Sequence, residues 1–141
     1  MIYQLDTDHV SVFQRGGPGA VTLEARLRWL ALDDYGTAIV TYEEQCRGWT
    51  AKINRARTAA ERLEAYALLK TSLRYFCNIA VWDYTPAAEA IFTTLIQSKI
   101  RVGTEDLRIA AIALANGATL LSRNLRDFAK VPGLRVEDWT A

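Results

Sequence analysis

The sequence predicts an α/β fold built on a short parallel sheet of four to five strands. Short apolar runs alternate with longer segments of helical periodicity, and this alternation is typical of βαβ units. The strand-like runs are short and mainly apolar, as expected for strands that are covered on both faces. They lie at residues 2–5, 37–41, 78–82, 118–122 and, as a possible fifth strand, 134–136.

The segments between these runs carry helix signals. Thr58 and Glu61 form a capping pattern, Pro86 fits a first helical turn, and Thr7 is placed to cap the first helix. Apolar residues recur at spacings of three and four, which predicts helices over residues 7–13, 21–32, 42–56, 58–76, 86–99 and 105–115.

Three further segments complete the predicted organisation. Residues 15–20 (RGGPGA) are expected to form a loop and residues 33–36 a turn. The apolar stripe from Leu63 to Phe76 is expected to face the core along one side of its helix. We find no internal repeat and no linker, so residues 1–141 are expected to form a single domain.

Composition excludes several classes of protein. Half of the residues are hydrophobic and 23% are charged, which is ordinary for a globular chain and unlike a disordered one. The net charge of +1 is not that of a strongly basic nucleic-acid binder.

Cys46 and Cys77 lack metal-site spacing, which favours free thiols in a reducing compartment. The start of the chain lacks a basic signal region, and no apolar run reaches about 20 residues, so we expect a cytoplasmic protein.

Three acidic residues fall near the carboxyl ends of the predicted strands, and a fourth can join them. Asp6 ends the first strand, Glu44 lies in the first helical turn after the second, and Asp127 lies in the loop that leaves the fourth. Asp106 starts the helix that leads into the fourth strand. It can join the other three only if that helix begins at the same edge of the sheet. In parallel α/β sheets, ligands bind at this edge.

Converging carboxylates indicate a divalent cation. They repel one another unless a cation lies among them, and Mg²⁺ and Mn²⁺ prefer oxygen ligands. Such an ion activates water and neutralises charge on a phosphodiester. For Glu44 and Asp106 the pattern has a second explanation, because acidic residues in a first helical turn also complement the helix dipole. Asp6 has no such explanation.

Four segments resemble a known family. They are IYQLDTDHVS, IVTYEEQCRGW, GTEDLRIAAIALANGATLLSRN and SRNLRDFAKVPGLRVEDW, in this order along the chain. Together they resemble the motifs of PIN-domain ribonucleases, in particular the toxins of VapBC-type toxin–antitoxin pairs. The second segment has an acid four positions before a glycine, which aligns Glu44 with Gly48.

The resemblance implies a PIN-like three-layer α/β/α domain and an endoribonuclease that depends on Mg²⁺ or Mn²⁺. Asp6 and Asp106 would be the main metal ligands, with Glu44 binding directly or through water. Asp127 is our choice for the fourth catalytic position because of its charge, although Asn124 lies nearer the strand end. The resemblance also implies a cognate antitoxin that blocks the acidic site, and a homodimer.

Other side chains near these motifs have supporting roles in this interpretation. Asp8 stands where the family often has Asn, and we expect it to support the ligands rather than to bind metal. Asn124, if it does not fill the fourth position, joins Thr7 and Ser122 as a residue that would orient water or phosphate.

Three more residues close to the site were considered. Arg123 and Arg126 flank the site loop and are candidates for binding RNA phosphates. The single histidine, His9, is either a general acid or a helix-start residue packed or solvated locally, and a carboxylate mechanism does not need it.

Two other functions remain open from the sequence. Asp6-Thr7-Asp8 matches the D-x-D opening of haloacid-dehalogenase-like phosphohydrolases, in which Asp6 would be the nucleophile. The following His9-Val10 and the lack of a suitable late Lys and acidic pair speak against that interpretation. A PIN-like domain that has become a catalytically inactive binding module is the other alternative.

Overall fold

The computed structural model describes residues 1–141 and contains a five-stranded sheet in which all neighbouring strands are parallel. The strands are β1 (Tyr3–Leu5), β2 (Tyr35–Ala38), β3 (Ala80–Trp82), β4 (Thr119–Leu121) and β5 (Val136–Glu137), in the spatial order β3-β2-β1-β4-β5. The chain runs outward from β1 to β3 and then returns to β4 on the other side of β1. The strand order therefore reverses between β1 and β4, where ligands bind in such sheets.

Seven α-helices connect and cover the strands. They are α1 (Thr7–Arg15), α2 (Pro18–Leu27), α3 (Ile39–Arg55), α4 (Ala59–Cys77), α5 (Pro86–Gln97), α6 (Thr104–Ala115) and α7 (Leu125–Phe128), and a 3₁₀ turn covers Leu32–Asp34. No helix is long and apolar enough to cross a membrane.

The core is divided by the sheet into two apolar clusters, which confirms the predicted three layers. Leu120 belongs to the cluster under α5 and α6, whereas Leu121 belongs to the cluster under α1, α2 and α4. Successive residues of a strand point to opposite faces, so this alternation is what a sheet covered on both sides requires. Leu5, which pairs with Leu121, lies in the same cluster as its partner.

The boundary between β2 and α3 differs from the prediction. The strand was expected at 37–41 and the helix at 42–56, but β2 ends at Ala38 and α3 begins at Ile39. Ala38 is extended and pairs with Trp82, and Val40 is then buried from the first helical turn. Tertiary packing thus overrides the strand preference of the β-branched Ile39 and Val40. As a consequence, Glu44 lies in the second turn of α3 and not in the first.

Other helix ends were predicted with mixed success. Thr58 accepts a hydrogen bond from the Glu61 amide and caps α4 as expected. Thr7 does not cap α1, because the N-cap is Asp6 and α1 starts at Thr7 itself. The predicted loop at 15–20 is shorter than expected, because Pro18 already forms the first position of α2. The last strand begins at Val136, two residues later than predicted.

The stripe on α4 was wrongly assigned to the core. Leu63, Tyr66 and Leu73 are exposed by 74%, 58% and 49%. The buried face of α4 consists instead of small residues such as Ala65 and Ser72, with Phe76 near the end of the helix. Small residues let α4 lie close to α3, which leaves the larger side chains on the outer face.

Candidate metal centre at the carboxyl edge of the sheet

The strand ends bring the predicted residues to one edge. Asp6 follows β1 directly, and Ser122 follows β4 directly, so both stand where the strand order reverses. Asp106 lies in the first turn of α6, which runs back across the sheet to β4. Asp106 could join the other acids only if its helix began at the carboxyl edge of the sheet, and α6 does begin there. Besides burial and the charge of Asp8, the charge of Asp106 also raises the pKa of Asp6.

Asp6 is the most buried acid at this edge. Its side chain is nearly excluded from solvent, and burial, together with the charge of Asp8, raises its pKa to about 7. Oδ2 of Asp6 accepts a hydrogen bond of 2.8 Å from the Ser122 hydroxyl. Oδ1 is buried and has no hydrogen-bond partner. A buried carboxylate oxygen without a donor is costly, and a bound cation would remove that cost.

Glu44 repeats this pattern on α3. Burial and the charges of Glu105 and Asp106 raise its pKa to about 7. Its Oε1 is also buried without a partner. Burial and the charges of Asp127, Glu105 and Asp8 likewise raise the pKa of Asp106. The acids at this edge are therefore coupled to one another, as carboxylates around a shared site are.

This donor set fits a hard divalent cation. It is made of carboxylate oxygens, and two of these oxygens lack any protein donor. The side chains are not, however, already arranged around one point: no three Asp, Glu, His or Cys side chains form a group that could hold a metal ion. The side chains would have to move to bring the oxygens into coordination distance.

Asp127 and Asn124 are the two candidates for the fourth catalytic position. Hydrogen bonds from Asn124 and Lys130 lower the pKa of Asp127, whose carboxylate is partly exposed on α7. The Oδ1 atom of Asn124 accepts from the Asp127 amide and caps α7. Asp127 still influences the site, since its charge raises the pKa of Asp106. Asp127 thus lies at the margin of the cluster, with its charge offset by Lys130.

Asp8 and Ser122 support the site through hydrogen bonds. Oδ2 of Asp8 accepts from the Arg123 amide at 2.9 Å and lies 3.2 Å from the Ser122 hydroxyl. Ser122 Oγ also accepts from the Asn124 amide at 3.0 Å. These contacts connect Asp8 to Asp6 through the Ser122 hydroxyl. Thr7 Oγ1 lies 3.5 Å from the hydroxyl of Thr41, at the first turn of α1.

His9 is not solvated, and its partners were missed. The imidazole is fully buried, with Nδ1 at 2.7 Å from Oδ1 of Asp8. Nε2 accepts a hydrogen bond of 3.1 Å from the amide of Trp139, near the end of the chain. No sequence pattern signals a contact between residues 130 positions apart. His9 is therefore packed, as one of the two expectations had it, but its partner Trp139 is distant in the sequence and not local.

The arginines near the site are partly committed to protein contacts. Arg123 donates from Nε to Thr140 Oγ1 at 2.8 Å, so its side chain is held by the end of the chain. Arg126 is exposed, and its charge helps to lower the pKa of Asp127. Arg47 forms an ion pair with Glu105 between α3 and α6. Both predicted RNA contacts are exposed, but only Arg123 is held by a hydrogen bond to the end of the chain.

The fold and the acidic edge together define the class. A parallel five-stranded sheet between helical layers, with carboxylates where the strand order reverses, is the architecture expected of a PIN-like domain. Comparison of structures agrees. The chain superimposes on VapBC from Salmonella typhimurium, solved bound to DNA, with a TM-score of 0.76 and 22% identity over 99% of this chain and 98% of that one. VapBC-1 from nontypeable Haemophilus influenzae gives a TM-score of 0.71 and 23% identity over the whole of both chains.

Sequence comparison points to the same group. No protein-family model matches the chain. The tRNA(fMet)-specific endonuclease VapC of Salmonella typhimurium is 36% identical over 70 residues, and this match spans only about half of each protein, 46% of this chain and 52% of the relative. Ribonuclease VapC1 of Haemophilus influenzae is 27% identical over 143 residues and 99% of both chains. The predicted resemblance is confirmed: in sequence the chain is similar to VapC ribonucleases, and in fold it is similar to the VapC-type chains of the VapBC structures.

Proposed function

We propose that this chain is an endoribonuclease that depends on Mg²⁺ or Mn²⁺ and acts as the toxin of a type II toxin–antitoxin pair. The observation that carries the proposal is the pair of buried, unpartnered carboxylate oxygens on Asp6 and Glu44 beside Asp106. The VapC relatives are named as ribonucleases or endonucleases, which supports the same chemistry.

Asp6, Asp106 and Glu44 would hold the cation. The ion would supply charge neutralisation on the phosphodiester and a more acidic water molecule. The chain's own contribution is orientation and proton transfer. Ser122 orients Asp6 through its hydroxyl, and a carboxylate at this edge that does not bind the cation directly would accept the proton of the water molecule. Arg126 is an exposed cation on the site loop for an RNA phosphate.

An antitoxin and a second copy of the chain are the proposed protein partners. Some of the similar structures are named as VapBC complexes, and the chain offers an apolar surface that a partner would cover. An open cleft is lined by Phe13, Leu27, Leu30, Leu32, Tyr35, Tyr75 and Ile79. Trp29, adjacent to Leu30, is 88% exposed. Light scattering after size-exclusion chromatography measures the dimer directly.

We propose the cytoplasm as the compartment, where RNA substrate is available.

The phosphohydrolase alternative is weakened by the surroundings of Asp8. A general acid must be able to reach the leaving group, but Asp8 already interacts with His9 and with the Arg123 amide. Cleavage of total cellular RNA by antitoxin-free protein in Mn²⁺, in Mg²⁺ and in EDTA tests the proposal. Metal-dependent fragments support it. A trapped phosphoaspartate on Asp6, or folded protein that never cleaves, would favour the phosphohydrolase or the binding module.

A further inference from the structure

The hydroxyl of Ser122 lies between two carboxylates but has one proton to donate. Its Oγ is 2.8 Å from Oδ2 of Asp6 and 3.2 Å from Oδ2 of Asp8. Ser122 is fully buried, and its lone pair already accepts from the Asn124 amide. The two carboxylates compete for the hydroxyl proton, and the one that lacks other donors forms the stronger hydrogen bond with it.

His9 decides this competition through Asp8. Its Nδ1 is 2.7 Å from Oδ1 of Asp8, and the Arg123 amide donates to Oδ2 at 2.9 Å. Each oxygen of Asp8 thus has a donor that does not involve Ser122. The proton position on His9 follows from its other contact: Nε2 accepts from the Trp139 amide at 3.1 Å, so the ring proton is on Nδ1. Oδ1 of Asp138 is 3.6 Å from Nε2, beyond a normal hydrogen bond.

We infer that His9 is a positioning residue: its Nδ1–H satisfies Asp8 and leaves the Ser122 hydroxyl proton to orient Asp6. This deepens the proposed function and rests on it, since Asp6 is the central ligand there. The Trp139 amide donates a hydrogen bond to the same imidazole. This bond fixes the orientation of the ring, so the donor to Asp8 is held in place by a residue near the end of the chain. A carboxylate held through a neighbouring hydrogen-bonded group in this way is typical of the surroundings of metal ligands.

Two conservative variants separate the two hydrogen bonds of His9. In His9→Asn the amide nitrogen takes the place of Nδ1 and can still donate to Asp8. In His9→Gln the amide group reaches the place of Nε2 and can accept from Trp139, but the donor to Asp8 is lost. Each variant loses one hydrogen bond, so a merely structural role predicts similar losses in Tm and in Mn²⁺ affinity. The inference predicts different ones.

The readout is Mn²⁺ affinity, measured by calorimetry and by the electron paramagnetic resonance signal of free Mn²⁺. We expect the Kd of His9→Asn to stay within about threefold of wild type and that of His9→Gln to rise about tenfold or more. In a Ser122→Ala background the difference between the two variants should disappear, because no hydroxyl proton is left to compete for. Equal Kd values for His9→Asn and His9→Gln would overturn the inference.

A measurement on the unmodified protein covers the case in which a variant fails to fold. His9 is the only histidine, so the ¹⁵N imidazole signals of labelled protein belong to it alone. We expect the neutral ring with the proton on Nδ1, and a proton on Nε2 instead would overturn the inference. If wild type binds Mn²⁺ but does not cleave RNA, the proposed nuclease function is wrong. The comparison of Mn²⁺ affinities between the His9 variants still tests the inference in that case. Wild type that binds no Mn²⁺ overturns both.

Discussion

Ser122 donates a hydrogen bond of 2.8 Å to Asp6, although the two residues are 116 positions apart. The contact joins the ends of β1 and β4, the two strands between which the strand order reverses. It orients one oxygen of Asp6 and leaves the other without a donor. The half-satisfied carboxylate is the structural basis of the account, because it is stable in that form only when protonated or beside a cation.

Asp6→Asn should abolish RNA cleavage and leave the fold intact. The amide keeps the shape of the side chain but removes the negative charge that a cation needs. Removing a like charge from a crowded site also relieves repulsion, so we expect the metal-free variant to be as stable as wild type or more stable at pH 8. A cleavage assay and thermal unfolding followed by circular dichroism measure both effects. Cleavage at the wild-type rate would rule out Asp6 as a ligand.

The metal-free protein should lose stability as pH rises from about 4 to 7. Burial raises the pKa of Asp6 to about 7 in the folded state from 3.8, so the folded state binds the proton more tightly than the unfolded state does. The stabilising effect is present below the unfolded pKa and is lost as pH rises through the folded one. The full shift corresponds to an upper value of roughly 4 kcal/mol. Urea unfolding in EDTA at pH 5, 6, 7 and 8 tests this, and the curve for Asp6→Asn should be flatter.

Binding of Mn²⁺ should release protons near pH 7. The pKa values of Asp6 and Glu44 are both about 7, so a cation must displace protons from a partly protonated site. We expect the affinity to increase between pH 6 and pH 8, by up to about tenfold per pH unit for each proton released. Calorimetry in two buffers of different ionisation enthalpy counts the protons. A heat of binding independent of the buffer would mean that the carboxylates are already ionised.

Gly36→Ala should destabilise the sheet. A Cβ at Gly36 would lie 2.8 Å from the carbonyl oxygen of Ala80 and 3.0 Å from the Trp82 ring, closer than atoms can pack. We expect a loss of about 1–3 kcal/mol in the free energy of unfolding. Gly48→Ala is the matched control, because a Cβ there meets nothing within 4 Å. In the exposed interior of α3 it should be neutral or stabilise by up to about 1 kcal/mol. Equal effects of the two substitutions would contradict the packing described for β2 and β3.

The sequence was informative where local chemistry determines structure. Asp6 after an apolar strand and Thr58 three residues before Glu61 were both interpreted correctly, because a strand end and a helix cap depend on few neighbours. The start of α3 was misplaced because Ile39 and Val40 favour strands locally, and only packing against the core draws them into a helix.

Contacts between distant parts of the chain could not be predicted in this way. His9 is held by the Trp139 amide, a partner that only the completed fold supplies. The large apolar residues of α4, such as Leu63, suggested a core face, yet the helix packs through Ala65 and Ser72 instead. Periodicity identifies the helix but does not tell which of its faces a neighbour will cover.

The most direct test of the account is the initial rate of RNA cleavage as a function of Mn²⁺ concentration, for wild type, Asp106→Asn and Asp33→Asn. Asp33 is an exposed acid before β2, at the opposite edge of the sheet, and serves as the matched control. We expect saturable, EDTA-sensitive cleavage by wild type and Asp33→Asn, with a loss of at least about a hundredfold in Asp106→Asn. Cleavage that persists in EDTA, or an Asp106→Asn variant as active as Asp33→Asn, would contradict it.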